Sequence, residues 1–290
     1  MTESELRVAA THWHQLQVPA VVVQVLAHQG SVPRETGTRM VVGAQQVLGT
    51  IGGGQLELQA IHGARAWLAA GSMAEHQRRR VALGPSLGQC CGGVLELGFT
   101  PLALDGPADW PQPQPMFRLQ LYGAGHVGRA IVHLLGTLPC EVQWIDERDS
   151  EFPQQPLPPH IRQVCVEPVQ AEVDTAAPGD FYLVLTHSHD LDLLISRAIL
   201  QRGDFGYFGL IGSATKRAKF ERRLQQRGVS SELLARMVCP IGISGISGIS
   251  AKVPEVLALA VVAQLLQRAA AAGSAATHLA TPVAAVKKPG

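Results

Sequence analysis

Two cysteines stand side by side, Cys90 and Cys91, between Gly88 and the pair Gly92-Gly93. A thiolate is a nucleophile, a sulfur carrier and a soft metal ligand. Flanking glycines leave such thiols reachable and let backbone approach a ligand. The competing reading is a pair of small, buried, inert residues. A disulfide between neighbours would be strained, so none is expected.

A second candidate is LYGAGHVGRA, residues 121–130. Gly123, Gly125 and Gly128 fit GxGxxG, with His126 following the second glycine. Gly123 allows the tight turn, Gly125 admits a phosphate to the backbone, and Gly128 lets a helix pack on its strand. The helix start offers free N–H groups to an anion. Asp146 closes the next apolar run, where such folds place a carboxylate that reads ribose hydroxyls. The motif does not distinguish a dinucleotide from another phosphorylated ligand. A glycine turn that serves packing alone is the alternative.

Two later turns are polar. LTHSHD (185–190) holds His187, His189 and Asp190, and GLIGSATKR (209–217) holds Gly212 and Ser213 before a helix. The imidazoles suit acid–base work or a metal; helix capping by Ser188, Asp190 or Ser213 is the alternative. The helix after Ser213 is basic, with Lys216, Arg217, Lys219, Arg222, Arg223 and Arg227 against Glu221. That face suits an acidic partner or plain solvation. Nearer the N-terminus, SVPRETGTRM places Arg34 and Arg39 around a turn. Gly52, Gly53 and Gly54 in GTIGGGQLE form a second possible anion cradle before a helix.

These turns need elements to hold them. Ala20–Ala27, Arg39–Val42, Gln46–Leu48, Val81–Leu83 and Val94–Phe99 read as strands, with a helix after Gly54, giving an α+β domain without a defined strand order. Further on, strands at Arg118–Tyr122, Glu141–Ile145, Arg162–Val166, Phe181–Thr186 and Tyr207–Ile211 alternate with helices at His126–Leu138, Asp190–Gln201 and Ala214–Gln226. A last helix spans Pro254–Ala270. That alternation predicts a parallel sheet covered on both faces. The expected fold class is therefore α/β: a C-terminal Rossmann-like parallel sheet domain beside a smaller N-terminal α+β domain. Ligands gather at the carboxyl ends of such strands, so Gly123–Gly128, Thr186–Asp190 and Gly212–Ser213 are expected along one edge. The expected boundaries are an N-terminal domain at 1–100, a proline-rich extended linker at 101–116, the Rossmann-like domain at 117–270 and a flexible tail at 271–290. A triple Gly-Ile-Ser from Gly242 reads as a glycine-rich loop.

Composition narrows the classes. With 290 residues, 16% charged and 46% hydrophobic, the chain is long enough for two cores and too sparsely charged for disorder. A net charge of +1 gives no support for a broad nucleic-acid surface. Five cysteines without a CxxC pair exclude a disulfide scaffold or zinc ribbon. Cys140, Cys165 and Cys239 fall in or beside strands and read as packing residues. The first residues lack a signal-peptide pattern, and Val253–Ala272 is interrupted by Glu255, Gln264, Gln267 and Arg268. The expectation is a soluble, reduced, cytoplasmic protein that touches neither membrane nor nucleic acid.

Taken in order, GSVPRETGTRM, GTIGGGQLE, GQCCGG, LYGAGHVGRA, VLTHSHDLDL, GLIGSATKRAKFERRL and CPIGISGI resemble the XdhC/CoxI family, the xanthine dehydrogenase accessory proteins. The resemblance covers most of residues 18–268, although the GISGISGIS stretch is longer than the family's usual loop. It implies a maturation chaperone without turnover of its own. Such a protein binds the molybdenum cofactor in its molybdopterin form, holds it while a cysteine desulfurase supports sulfuration, and delivers it to the molybdenum subunit of apo xanthine dehydrogenase. It also implies a homodimer, and it makes Cys90 and Cys91 the candidates for molybdenum contact. The competing reading is an NAD(P)-dependent oxidoreductase built on the C-terminal domain. A nucleotide such as NAD(P) beside the pterin is also left open.

Overall fold

The structure, a computed structural model, describes residues 1–71, 76–83, 93–111, 114–243 and 253–279, with side chains to residue 272. Cys90, Cys91 and most of the Gly-Ile-Ser repeat lie outside the described residues. The chain forms two compact units, Met1–Pro113 and Gln114–Gly290.

Unit 1 is a five-stranded antiparallel sheet between two helices. The strands are β1 (Ala20–Gln29), β2 (Arg39–Gly43), β3 (Val47–Gly49), β4 (Gln77–Ala82) and β5 (Val94–Pro101), in the order β3-β2-β1-β5-β4. Alternating residues divide the apolar load between two faces. Val21, Val23, Val25, Met40, Leu95 and Leu97 form one core with Leu56, Ala60 and Ala64 of helix α2 (Gly54–Ala69). Val22 and Val41 form the other with Leu6 and Ala10 of helix α1 (Glu3–Gln15). No helix was expected at α1, yet its start is written locally. Thr2 and Glu5 form a reciprocal capping box.

The proline-rich stretch departs from the extended linker expected at 101–116. Its first ten residues fold onto unit 1 through short 3₁₀ turns at Leu102–Leu104 and Pro107–Asp109. Leu102 and Trp110 are buried in the α1-side core. The indole N–H of Trp110 donates to Asp105, and the Arg39 guanidinium lies 5.0 Å over the Trp110 ring. Counting prolines overlooked the apolar residues between them, which contribute burial that an open tether would forgo.

Unit 2 is an α/β Rossmann-like domain. Its strands are β6 (Arg118–Tyr122), β7 (Glu141–Asp146), β8 (Ile161–Cys165), β9 (Phe181–Val184), β10 (Tyr207–Leu210) and β11 (Met237–Val238). All pair in parallel, in the order β11-β10-β9-β6-β7-β8. Counted from β6 as first, that is the doubly wound 3-2-1-4-5-6 arrangement with its switch point between β6 and β9. Leu119, Leu121, Val142 and Trp144 face helices α3 (His126–Leu135) and α7 (Pro254–Leu279). Tyr122, Ile145, Tyr182 and Val184 face α4 (His189–Arg202) and α5 (Ala214–Gln225). A short α6 (Ser231–Ala235) precedes β11.

Three expectations change in unit 2. Helix α7 continues to Leu279, into the stretch expected to be tail. Its segment Pro254–Ala272 is long and apolar enough to cross a membrane, but Ala258, Val261 and Leu265 are core residues. Cys165 is exposed at the end of edge strand β8 and does not pack, whereas Cys140 and Cys239 are buried. Burial pushes the Cys140 thiol up to about 12, which leaves it protonated and unreactive.

Candidate functional site

The turn from β6 into α3 is built by backbone crowding. Gly123 has φ +121, and a Cβ there would lie 2.4 Å from the Leu185 carbonyl oxygen. A Cβ on Gly128 would meet the Gly123 oxygen at 2.1 Å. Both glycines are therefore demanded by packing alone. Gly125 differs: a Cβ there would meet nothing within 4 Å. It is the N-cap of α3, no side chain caps that helix, and His126 at its first position is exposed.

Asp146 stands at the end of β7, as expected, but its carboxylate is not free. Oδ2 accepts from the Ala124 N–H at 2.7 Å and from Arg148 Nη2 at 3.0 Å. Oδ1 accepts from the Arg148 N–H at 3.0 Å and Arg148 Nε at 2.9 Å. Burial pushes the Asp146 pKa up, but these bonds outweigh it and hold the group below the ordinary carboxylate value. The expected ribose reader is thus engaged by its own chain. Arg148, two residues on, was overlooked because the glycine pattern draws attention to the acid alone.

The turns after β9 and β10 converge beside this point. Thr186, His187, His189, Ile211, Gly212, Ser213 and Lys216 line an open cleft of about 330 Å³. Ser188 caps α4 by accepting from the Leu191 N–H, and Ser213 caps α5 by accepting from the Lys216 N–H. His187 and His189 remain exposed. His187 Nε2 lies 3.6 Å from Glu147 Oε1, linking the ends of β9 and β7.

Beneath the cleft runs a buried polar network. Asp192 is fully buried. Its Oδ1 accepts from the Thr186 N–H at 3.0 Å and from Thr186 Oγ1 at 2.7 Å. Its Oδ2 accepts from Lys216 Nζ at 2.6 Å, and Lys216 also donates to the Ile211 carbonyl at 2.9 Å. The pair fixes the β9 and β10 turns to each other. Lys216 is therefore not part of a solvated basic face. Elsewhere on α5, Arg217 pairs with Glu221, while Lys219 and Arg222 are exposed, as is Arg227 in the turn after the helix. Among the described residues, no group of three or more His, Cys, Asp or Glu side chains is placed to hold a metal ion.

In unit 1, the turns carrying Pro33 and Gly52 pack together, and Gly93 packs beside Ser31. A Cβ on Gly52 would lie 2.6 Å from Pro33, and one on Gly93 would lie 2.5 Å from the Ser31 oxygen. Exposed Arg34 follows Pro33. Gly52, Gly53 and Gly54 all have positive φ. Their cradle is already filled, however: Glu57 Oε2 accepts from the Ile51 and Gly53 N–H groups, each at 3.0 Å, and from the Thr50 hydroxyl. This corrects the expectation of an open anion site there. The Leu83 N–H donates to the Gly93 carbonyl at 2.8 Å.

The comparisons agree with this two-unit division. The family described as XdhC and CoxI matches residues 13–79, and the family described as XdhC Rossmann domain matches residues 119–265. A curated relative, the uncharacterized protein YqeB of Escherichia coli (strain K12), is 29% identical over 261 residues. That match covers 86% of this chain but 43% of YqeB, so the chain spans less than half of that relative. A solved structure from Bacillus halodurans, described as a xanthine dehydrogenase, superposes with a TM-score of 0.73 at 19% identity. It covers 93% of this chain and 96% of the solved one, and establishes likeness of fold.

Proposed function

Since the chain belongs to the XdhC and CoxI family, we propose that it serves the maturation of xanthine dehydrogenase, as a carrier that binds the molybdenum cofactor, supports its sulfuration and delivers it to the apo enzyme. The observation that supports this most is the carboxyl edge of unit 2. There α3 starts without a side-chain cap, with open space at Gly125, and the turns after β9 and β10 line a cleft of about 330 Å³. That volume falls within the range of small-molecule sites.

The residues present fit a phosphorylated pterin. The α3 amides beside Gly125 and His126 suit its phosphate. His187, His189 and Ser213 offer polar edges to its ring, while the Asp192–Lys216 pair keeps the two turns in register. Cys90 and Cys91 are the candidates for molybdenum contact or sulfur passage. The cargo carries molybdenum on a dithiolene, and its chemistry is the exchange of an oxo ligand for sulfido with sulfur from a cysteine desulfurase. The chain's own part is to hold and release.

The test is copurification from cells that make the cofactor. Molybdenum and oxidised-pterin fluorescence should accompany the wild type in equal amounts and fall in Cys90→Ala or Cys91→Ala. Retention of molybdenum in both variants would remove the thiols from the mechanism. A nicotinamide absorbance in place of pterin would favour the oxidoreductase reading, whose support is the strand order and glycine motif.

A further inference from the structure

We propose that Arg148 sets which ligands the crevice of unit 2 admits: it occupies the carboxylate that would otherwise read a ribose diol, so the crevice refuses nicotinamide adenine dinucleotides despite its strand order and glycine motif.

An ionised carboxylate has about four acceptor positions. At Asp146 all four are filled from within the chain, two on Oδ2 by Ala124 and Arg148 and two on Oδ1 by Arg148. The Asp146 side chain is 3% exposed. A ribose diol therefore finds neither a free lone pair nor an approach. Arg148 is braced on its far side. Its Nη1 lies 3.4 Å from Glu151, and Glu151 is bridged at 3.3 Å by Arg129 of α3. Removing the guanidinium to admit a diol would break this whole clasp.

An arginine here could instead read the 2′-phosphate of NADP. The surrounding charge argues against it. The guanidinium already contacts Asp146 and Glu151, and Glu147 acts on it as well. A phosphate would approach three carboxylates whose two guanidinium neighbours, Arg148 and Arg129, are already paired with them. The Glu147–His187 contact further joins the β7 side of the crevice to the β9 side. What remains open is the α3 N-terminus and the cleft beyond β9, which suit a phosphorylated ligand that needs no ribose reader. Identifying that ligand as the pterin cargo rests on the function proposed above; the refusal of dinucleotides does not.

The test is fluorescence titration of the full chain with NADH and NADPH. The wild type should bind neither below about 1 mM. Arg148→Ala should gain NADH affinity on the order of ten- to a hundredfold, the size of hydrogen bonds restored to a charged acceptor. Adding Asp146→Asn should abolish the gain. If Arg148→Ala does not fold, Arg148→Gln carries the same expectation with a smaller gain. Micromolar NADH binding by the wild type would overturn the proposal. So would NADPH binding that is lost in Arg148→Ala, which would make Arg148 a phosphate reader, or a folded variant with no gain. Failure of the cargo proposal would show separately, as wild type without molybdenum or pterin, and would leave the NADH result unchanged.

Discussion

Two ion pairs in unit 2 do different work, and their environments separate them. Lys216 and Asp192 have side chains only 11% and 1% exposed. Breaking so buried a pair from one side leaves a charge without its counterion. Lys216→Met should therefore cost about 3–5 kcal/mol in urea unfolding. Combining it with Asp192→Asn should cost less than the two single changes added together. Additive losses would mean that the pair is not coupled. The Asp146–Arg148 clasp makes a pH prediction instead. Asp146 is held below the ordinary carboxylate value in the folded chain. It thus contributes stability that is present above the unfolded value near pH 4 and lost as pH falls through the folded value. The stability gap between wild type and Arg148→Met should be widest at neutral pH and shrink below about pH 4. A gap unchanged down to pH 3 would contradict the assignment. Neither pair was legible in the sequence. Lys216 lies in a run of arginines and lysines that reads as solvated, and its acid partner is on another helix, brought near only by the order of β9 and β10.

At the scale of elements, the two later glycines of one motif have opposite duties. Gly128 has no room for a methyl group beside the Gly123 oxygen, whereas Gly125 has open space and an ordinary φ of −70°. Gly128→Ala should destabilise unit 2 sharply and lower its melting temperature. Gly125→Ala should melt like the wild type yet retain less pterin, because the added methyl group stands where a phosphate would approach the α3 amides. Equal melting losses in both would show that the whole motif serves packing. The alternation of strands with helices made the unit 2 sheet legible almost strand by strand, because each element's apolar period is local. Unit 1 was less so: its sheet order depends on the long-range pairing of β1 with β5, which no local pattern encodes. The anion cradle at Gly52–Gly54 was misjudged for a related reason. Its glycines have the positive φ values that their type suggests, but the Glu57 carboxylate reaches back from the first turns of α2 and takes the donors.

At the scale of the molecule, the division at Pro113 and Gln114 leaves each unit with cores of its own. Unit 1 joins its two helices and the folded-back 102–110 segment around one antiparallel sheet, and unit 2 buries a parallel sheet on both faces. Domains with separate cores unfold as separate cooperative transitions. Scanning calorimetry should therefore show two endotherms, and each should answer to its own mutations. Trp110→Ala removes a large side chain from the α1-side core and should lower the first unit's transition by about 3–5 kcal/mol of stability, leaving the other in place. Leu121→Ala, at the centre of the β6 side of the sheet, should do the reverse. The same pair of variants examines the proline-rich stretch. If residues 101–110 were a tether, Trp110→Ala would shift neither transition, because a side chain in an open linker has no packing to lose. A shift confined to unit 1 would show that the connection between the units begins only after Trp110, leaving few residues to join two independently stable bodies.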